Sequence, residues 1–262
     1  MAQNMIPSFT PTWHTTTYPA ISPTKDATKH SLTGKSVLIT AGGGSIGSVT
    51  ARSFAAAGVA AIALLSRKED KLRAAASAVT AQYPGTQVST YSVDVLDKAG
   101  VDMAFADFAA KVGGRIDVVV SGAGWGAVGT LIKDADPEVW FSDLDVNIKG
   151  SFLVAQASLR HLVDNGVLIN ISSAVSITNS PFMSSYVVSK AAAARLFDLV
   201  QVENPQLRVV NVHPGVVDSE MNRKNGLPSM DDGKLHFISF LPLPFFLCFF
   251  YTEFGGANSK TQ

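Results

Sequence analysis

The sequence predicts a single α/β domain built on a doubly wound parallel sheet, with helices covering both faces. Three observations support this prediction. From Ser36 onward, short β-branched runs alternate with stretches of helical period. The runs, such as residues 37–40, are continuously apolar, as expected of strands buried on both faces. A glycine-rich turn joins the first run to the first helical stretch. Strands separated by helices form parallel βαβ units, so one domain accounts for the pattern.

The predicted elements alternate regularly along the chain. Pro84 and Gly85 end the second helix, and Pro137 opens a long one. The predicted strands are residues 37–40, 61–65, 87–93, 116–120, 167–171 and 208–212. The predicted helices are residues 46–57, 68–82, 101–112, 137–163 and 186–202.

Composition excludes several classes of function. The chain carries 21 basic and 21 acidic residues, so no nucleic-acid surface and no polybasic membrane patch is expected. Its one cysteine, Cys248, excludes an internal disulfide and a multi-thiolate metal site. The five histidines lack metal-ligand spacing, and no metal is expected. The N-terminus does not resemble a secretory signal, and the cysteine usage fits a reducing, cytoplasmic location.

The turn from Thr40 to Gly47 lies where a phosphate-binding turn belongs, between the first strand and the first helix. Glycine permits a tight turn and lets backbone amides approach a phosphate, while the helix N-terminus adds positive potential. A flexible loop is the alternative interpretation. The strand–turn–helix context favours the dinucleotide site of a Rossmann-type sheet.

The residues after the second strand bear on the choice of dinucleotide. The sequence there is Ser66-Arg67-Lys68, with no acid before Glu69. A carboxylate at this place would accept bonds from a ribose 2′-hydroxyl, whereas a 2′-phosphate needs a cation. Arg67 offers a planar fork of donors that suits a phosphate. We therefore predict NADP(H) as the cofactor; the alternative is that Arg67 and Lys68 form a solvated helix start.

Tyr186 and Lys190 form the strongest chemical signal in the sequence. Residues at i and i+4 share one helix face, with Cβ atoms about 5–6 Å apart. A nearby ammonium favours the phenolate form and lowers the pKa of a phenol, which suits Tyr186 to acid–base chemistry. Such pairs also occur on ordinary helices. Here, however, a strand ends in Asn170-Ile171-Ser172-Ser173, thirteen residues before Tyr186 when counted from Ser173.

Together these motifs resemble the short-chain dehydrogenase/reductase family over residues 34–221, about 70% of the chain. The turn of that family reads Thr-Gly-x-x-x-Gly-x-Gly. Thr40 and Gly47 match it, whereas Ala41 and Ser45 stand where it has glycines. A Cβ at Ser45 would crowd the phosphates, and Ala41 would resist a positive φ. Weaker cofactor binding, or a turn shifted by one residue, is therefore expected.

The resemblance implies roles for four catalytic residues. Tyr186 would act as acid or base, and Lys190 would lower the Tyr186 pKa and hold the ribose. Ser173 would bind the substrate oxygen, with Ser172 as the alternative. Asn147, in the middle of the long predicted helix, would fix a water that links the lysine to solvent. The alternative for Asn147 is an exposed helical asparagine.

The resemblance also implies a set of cofactor contacts. They lie in the glycine turn, at the ends of four strands and on the helix of Tyr186. Ser121-Gly122-Ala123-Gly124 stands where the family has Asn-Asn-Ala-Gly, and the segment that begins at His213 resembles Pro-Gly-x-Val-x-Thr, with Ser219 replacing Thr. The implied contacts are Thr40, Gly42, Gly44, Ser45, Ile46, Gly47, Ser66, Arg67, Asp94, Val95, Ala123, Gly124, Asn147, Tyr186, Lys190, Pro214, Gly215, Val217 and Ser219.

The implied function is an NADP(H)-dependent oxidoreductase that interconverts a carbonyl and an alcohol on a small organic substrate. The alternative is a catalytically impaired NADP-binding protein, given the altered turn and C-terminus. Members of the family form dimers and tetramers through their long helices, so a homodimer or homotetramer is expected. Trp125, Phe182 and Met183 are candidate walls of the substrate pocket or, alternatively, core residues.

The two ends of the chain depart from the domain pattern. Residues 1–33 are rich in Pro, Thr and Ser and predict an arm outside the core, or a strap that acts through Trp13 and Tyr18. Such an arm is similar to that of filamentous-fungal members, many of them from secondary metabolism. The domain is expected to span residues 34–232, and the resemblance stops after Met221, so the usual last parallel strand is expected to be missing.

The tail of residues 233–262 contains a phenylalanine-rich run at 237–251. This run is shorter than the ~20 residues that a membrane-spanning helix needs. Pro242 and Pro244 break it and also make it a poor strand. Three interpretations remain open: a plug over the active site, a membrane-surface or partner anchor, and a tail from an altered reading of the gene such as a retained intron. We favour the last.

Overall fold

The computed structural model describes residues 32–126, 129–215 and 217–226, and the backbone of residues 238–239. The predicted N-terminal arm and phenylalanine-rich tail therefore lie outside the described residues, except for residues 32–33 and 238–239. The predictions made for these two segments stay predictions.

One twisted sheet with strand order β3-β2-β1-β4-β5-β6-β7 forms the centre of the described structure. Neighbouring strands from β3 through β6 pair in parallel, and this confirms the predicted doubly wound Rossmann-type sheet. The strands are β1 (Ser36–Thr40), β2 (Ala61–Ser66), β3 (Gln87–Ser92), β4 (Ile116–Ser121), β5 (Leu162–Ile171), β6 (Arg208–His213) and β7 (Ile238–Ser239).

Helices connect the parallel strands and cover the sheet. They are α1 (Ser45–Ala56), α2 (Glu69–Gln82), α3 (Lys98–Lys111), α4 (Pro137–Leu144), α5 (Ser151–His161), α6 (Ser184–Glu203) and α7 (Glu220–Lys224). A π-helical turn, Asp145–Gly150, joins α4 to α5.

Two apolar clusters explain why the strands are apolar throughout. Successive strand residues point to opposite faces of a sheet. In β1, Leu38 belongs to the cluster that contains Phe105 and Phe197. Its neighbours Val37 and Ile39 belong to the other cluster. Both faces of the strand are therefore buried, which removes the alternation of polar and apolar residues.

The edge strand β7 differs from the sequence prediction for the tail. Ile238 and Ser239 pair antiparallel with His213 and Val212 at the end of β6. The prolines of this run cannot donate to a ladder, and the sequence therefore predicts a poor strand here. The two paired residues precede Pro242, so that restriction does not reach them. The position beyond β6 thus holds a two-residue antiparallel strand in place of a further parallel one.

The long helix predicted for residues 137–163 is wrong in its interior and at its end. The α-helical turns stop at Leu144, and a π turn intervenes before α5. At the other end, Leu162 already pairs with Ile116 of β4, so β5 begins five residues earlier than predicted. Hydrophobic periodicity cannot distinguish a π turn from the α-helix around it, because the turn shifts the helix face by a single residue.

No helix in the described part of the chain is long and apolar enough to cross a membrane.

The buried phenyl ring of Phe105 allows a test of this core. We expect Phe105→Ala to lower the free energy of unfolding by about 3–5 kcal/mol, because a fully buried ring is lost and leaves a cavity. Met103→Ala on the same helix is the control: Met103 is 57% exposed, and its replacement should change stability by no more than about 0.5 kcal/mol. Urea unfolding measures both. Equal losses in the two variants would contradict the assignment of this helix face.

Candidate active site

The glycine turn forms at the carboxyl end of β1 despite its departures from the family pattern. Ala41 adopts a φ of +53°, in the left-handed region. The Gly44 amide donates to the Ala41 carbonyl at 2.8 Å, and a Cβ at Gly47 would collide with that same carbonyl oxygen. The turn therefore closes at Ala41 itself, at a conformational cost of roughly 1–2 kcal/mol for a residue with a Cβ. Ala41 thus adopts the positive φ that it was expected to resist, at that conformational cost.

The start of α1 fits the phosphates of a dinucleotide. Gly44 caps the helix without any side-chain bond, and the first turn contains no acidic residue. Backbone amides at the helix start are therefore not covered by a side-chain cap, and the helix dipole favours an anion there. Ser45 and Ile46 are the first helical residues, and both are half-buried.

The side chain of Thr40 connects the turn to the next strand of the sheet. Its hydroxyl oxygen accepts bonds from the amides of Gly122 at 2.9 Å and Ala123 at 3.2 Å. These residues follow β4, which lies beside β1 where the strand order reverses. In open α/β sheets, ligands bind in the crevice at such a reversal. Thr40, the glycine turn and Ala123 thus border one crevice.

Charged residues lie at the carboxyl ends of β2 and β3. Arg67 is 68% exposed and lies 3.6 Å from the Asp94 carboxylate, at the ends of β2 and β3. Ser66 precedes Arg67 at the end of β2, and Val95 is buried. The structure therefore brings Ser66, Arg67, Asp94 and Val95 to one edge of the sheet.

A group of lysines lies nearby that the sequence analysis did not identify. Lys68, Lys71 and Lys224 all bind the carboxylate of Glu220, at 3.2, 2.5 and 3.1 Å. Hydrogen bonds from these lysines, Lys71 first, lower the pKa of Glu220 to about 2. A Cβ at Gly43 would lie 3.0 Å from the Lys71 backbone, so this cluster adjoins the glycine turn. Only the fold brings α2 and α7 together, and nothing local in the sequence marks the pairing.

Ser173, Tyr186 and Lys190 converge at the carboxyl end of β5. Ser173 lies close enough to the Tyr186 phenol for its hydroxyl to lower the Tyr186 pKa. The Lys190 ammonium lies 5.9 Å from the centroid of the Tyr186 ring and donates to the Ile171 carbonyl at 2.9 Å. The Ser172 hydroxyl is buried and has no hydrogen-bond partner among the described residues. The geometry therefore favours Ser173 over Ser172 as the residue that would bind the substrate oxygen.

Burial dominates the protonation of this cluster. It raises the pKa of Tyr186 to about 12, an effect that the Ser173 hydrogen bond opposes and the charge of Asp143 reinforces. Burial also lowers the pKa of Lys190 to about 8. The shift of Tyr186 is opposite to the one expected from Lys190 alone, because desolvation of the phenolate is its largest cause.

Asn147 lies inside the π turn and points inward. Its side-chain oxygen accepts from the Trp125 amide at 2.9 Å, and its side-chain nitrogen donates to the Trp125 carbonyl at 2.6 Å. The same nitrogen donates to the Ser189 hydroxyl at 2.8 Å. Asn147 is 1% exposed, so the alternative of a solvent-exposed helical asparagine is wrong.

Two glycines leave room for the cluster. A Cβ at Gly124 would lie 3.1 Å from the Lys190 ammonium and 3.2 Å from the Asn147 side-chain oxygen. A Cβ at Gly126 would overlap the Tyr186 ring, 2.7 Å from its Cγ. The loop after β4 therefore approaches the cluster closely because it lacks side chains at these two places.

The segment after β6 lies beside the same loop. Pro214 is buried, and Gly215 has a φ of +78°. The Val217 carbonyl accepts from the Asn222 side chain at 2.7 Å, and the Ser219 hydroxyl caps α7 by accepting from the Asn222 amide at 3.1 Å. Val217 and Ser219, which were predicted to contact the nicotinamide, therefore form hydrogen bonds within their own segment.

Side chains also join this segment to the loop after β4. Asn225 donates to the Gly126 carbonyl at 2.8 Å, and the Lys224 ammonium lies 5.7 Å from the Trp125 ring centroid. Trp125 therefore faces the segment. Phe182 is 48% exposed with a φ of +65°, and Met183 is half-buried at the start of α6. The described residues contain no group of three metal ligands.

The sheet is of the Rossmann type, its glycine turn lies at the strand reversal, and a Ser–Tyr–Lys cluster lies beside it. This combination defines a nicotinamide-dinucleotide oxidoreductase of the short-chain type. The family profile described as short chain dehydrogenase matches residues 35–228. The chain belongs to the short-chain dehydrogenase family.

Individual relatives agree with this assignment. The chain is 34% identical over 236 residues to short chain dehydrogenase mpl6 of Monascus purpureus, covering 86% of this chain and 78% of that protein. It resembles the alcohol dehydrogenase of Thermococcus sibiricus in complex with 5-hydroxy-NADP, with a TM-score of 0.69, 29% identity and coverage of 76% and 82% of the two chains. It also resembles NAD⁺-bound xylitol dehydrogenase, with a TM-score of 0.67, 27% identity and coverage of 71% and 72%.

The contact between Gly126 and the Tyr186 ring can be tested directly. Gly126→Ala should lower the free energy of unfolding by about 1–3 kcal/mol, because the added Cβ displaces the half-buried Tyr186 ring. Gly85→Ala is the matched control, since its Cβ would meet no atom within 4 Å. Thermal and urea unfolding measure both variants. A Gly126→Ala protein as stable as the control would show that the ring does not lie against this loop.

Proposed function

We propose that this protein is an NADP(H)-dependent oxidoreductase that interconverts a carbonyl and an alcohol on a small organic substrate. The observation that carries the proposal is the convergence of the Ser173 hydroxyl, the Tyr186 phenol and the Lys190 ammonium beside the glycine turn. These groups are a hydrogen-bond donor, a proton donor and a cation. Together they suit a reaction in which the substrate oxygen gains or loses a proton.

Each residue has a distinct task in the proposed reduction. The Ser173 hydroxyl and the Tyr186 phenol both bond to the substrate oxygen, and the phenol gives up its proton as that oxygen gains negative charge. Lys190 stabilises the phenolate that forms, because its ammonium lies close to the ring. A bound nicotinamide supplies the hydride, or accepts it in the reverse direction. In oxidation, Tyr186 takes the alcohol proton instead.

Asn147 stabilises this arrangement through hydrogen bonds to neighbouring segments. It holds the Trp125 backbone and the Ser189 hydroxyl, and Ser189 in turn donates to the Tyr186 carbonyl at 2.9 Å. These bonds fix the loop after β4 relative to the helix of Tyr186. We propose that Asn147 also keeps the path by which Lys190 exchanges protons with solvent.

The preference for NADP(H) rests on charge at the end of β2. Arg67 and Lys68 follow the strand, and the first acid, Glu69, already belongs to α2. Arg67 has one partner in the described residues, Asp94 at 3.6 Å, and is largely exposed, so its guanidinium is accessible to a 2′-phosphate. Thr40, Ala123 and the helix start at Gly44 to Gly47 would hold the remainder of the dinucleotide.

An assembly through the long helices is consistent with the surface of α5 and α6. Both helices carry large apolar side chains that are exposed in the single chain. Large apolar side chains left exposed on these helices are available for burial in a contact between subunits. We therefore propose a homodimer or homotetramer; a cytoplasmic location stays a prediction. The exposed residues are Phe152, Leu159, Val188, Leu199 and Val202.

The second candidate is a catalytically impaired NADP-binding protein. The replacement of a glycine by Ala41 favoured it in the sequence, but the turn closes with Ala41 in the left-handed region. A binding titration with NADPH, run beside NADPH oxidation against a panel of carbonyl compounds, distinguishes the two candidates. Binding without oxidation of any carbonyl would favour the impaired protein.

Tyr186→Phe tests the proposed acid. Loss of the hydroxyl should reduce turnover by at least about 100-fold, because no other group replaces the proton donor. The affinity for NADPH, followed by fluorescence, should change little. Tyr83→Phe is the control, since Tyr83 ends α2 away from the cluster and should keep full activity. Turnover retained in Tyr186→Phe would exclude Tyr186 as the acid.

Arg67→Ala tests the cofactor preference. The Michaelis constant for NADPH should rise about tenfold or more, because a charge-assisted pair with the 2′-phosphate is lost. The constant for NADH should hardly change. Arg73→Ala removes the same charge from the same helix region, where Arg73 pairs with Glu69, and should affect neither constant. Equal effects of Arg67→Ala on both cofactors would refute the preference.

A further inference from the structure

A buried carboxylate lies next to the proposed acid in the fold, and no motif of the sequence marked it. Asp143 on α4 is 0% exposed, and it accepts a hydrogen bond from the Ser185 hydroxyl at 2.5 Å. Ser185 is itself buried and immediately precedes Tyr186. One turn earlier on α4, the Trp140 indole donates to the Ser184 hydroxyl at 2.9 Å. Two adjacent bonds therefore fix α4 to the first turn of α6.

Bonds from α4 to α6 do not by themselves require a carboxylate at position 143. Burying a carboxylate costs several kcal/mol unless it is compensated, whereas a hydroxyl or an amide could accept the same bond at lower cost. A charge at this place therefore calls for a different explanation. Its distinctive property is a negative potential, which low-dielectric surroundings screen weakly.

We infer that Asp143 is a positioning residue that acts on Tyr186 and keeps its phenol protonated at neutral pH, so that the site is set for carbonyl reduction. The inference rests on the proposed function, because it assigns Tyr186 the role of acid. It adds the direction in which the site works without activation by alkaline pH.

The groups around the Tyr186 ring support this inference. From α6 itself, Lys190 places an ammonium 5.9 Å from the ring centroid. From α4, the Asp143 charge acts against phenolate formation and adds to the effect of burial on the Tyr186 pKa. From the end of β5, Ser173 contributes an uncharged hydroxyl. The loop after β4 presents Gly126, which has no side chain.

The remaining nearby cation belongs to the segment after β6. Lys224 lies over the Trp125 ring, 5.7 Å from its centroid, and also pairs with Glu220. Its charge is therefore already compensated. Asp143 thus opposes Lys190: the ammonium favours the phenolate, which is the base for oxidation, and the carboxylate favours the phenol, which is the acid for reduction.

Asp143→Asn is the decisive variant. An asparagine oxygen can still accept from the Ser185 hydroxyl, so the link between the helices is kept while the charge is removed. Alcohol oxidation with NADP⁺ should become active at lower pH, with the midpoint of its alkaline rise shifted down by about half a pH unit or more. Ser184→Ala is the matched control: it breaks the neighbouring bond with Trp140, leaves the charge in place and should leave the midpoint unchanged.

A second readout does not depend on turnover. The ultraviolet absorbance of tyrosinate is titrated with and without Tyr186→Phe, in the parent chain and in Asp143→Asn, so that each difference isolates Tyr186. Asp143→Asn should lower the midpoint of that difference. A chain without any turnover would contradict the proposed function and still leave this titration to decide on Asp143.

Two outcomes would overturn the inference. One is a folded Asp143→Asn protein whose midpoints match those of the parent in both measurements. The other needs no variant and covers the case in which Asp143→Asn fails to fold: a parent protein whose Tyr186 midpoint lies at or below neutral pH. Equal shifts in Asp143→Asn and Ser184→Ala would also reject it, since they would point to helix packing and not to charge.

Discussion

The hydrogen bond from the Lys190 ammonium to the Ile171 carbonyl is the constraint on which the site depends. Lys190 is 6% exposed, and a buried ammonium is tolerated only with good acceptors. The acceptor is the last carbonyl of β5, where the chain leaves the sheet. The bond therefore fixes α6 at one height above the strand end. Ser173 follows Ile171 closely in the chain, and Tyr186 lies one helical turn before Lys190. The bond between Ile171 and Lys190 therefore also brings Ser173 and Tyr186 together.

The π turn between α4 and α5 also contributes to the geometry of the site. A wider turn at residues 145–150 places Asn147 inward, where its amide binds both backbone groups of Trp125 and the Ser189 hydroxyl. An asparagine on a regular solvent-facing helix could not reach all three. π turns occur often at functional sites because they move one side chain out of the helical pattern. Here the turn closes the polar network that surrounds Lys190 and Tyr186.

Sequence patterns predicted those parts of the fold that follow from local rules. The strands were evident because residues such as Val37 and Leu38 are buried on opposite faces, and Tyr186 and Lys190 were evident because helical spacing puts them on one face. The π turn was missed because a one-residue shift leaves the apolar period almost intact. The inward place of Asp143 was missed because acidic residues are assigned to the surface by default. The lysines around Glu220 were missed because only tertiary structure joins α2 to α7.

Three buried polar residues of the site share a physical feature that bears on function. Asp143, Asn147 and Lys190 are polar or charged groups, each at most 6% exposed, and each lies on the helix of Tyr186 or forms a hydrogen bond with it. In a core chosen for stability alone, such groups would lower the free energy of unfolding, and apolar residues of similar size would replace them at little cost. Elsewhere in the described core, the interior positions of β1 and β2 are filled by Val, Leu, Ile and Ala. The buried polar and charged groups near Tyr186 depart from this apolar pattern. They are therefore evidence for a catalytic site, because their unfavourable burial is concentrated where a proton must be held and released.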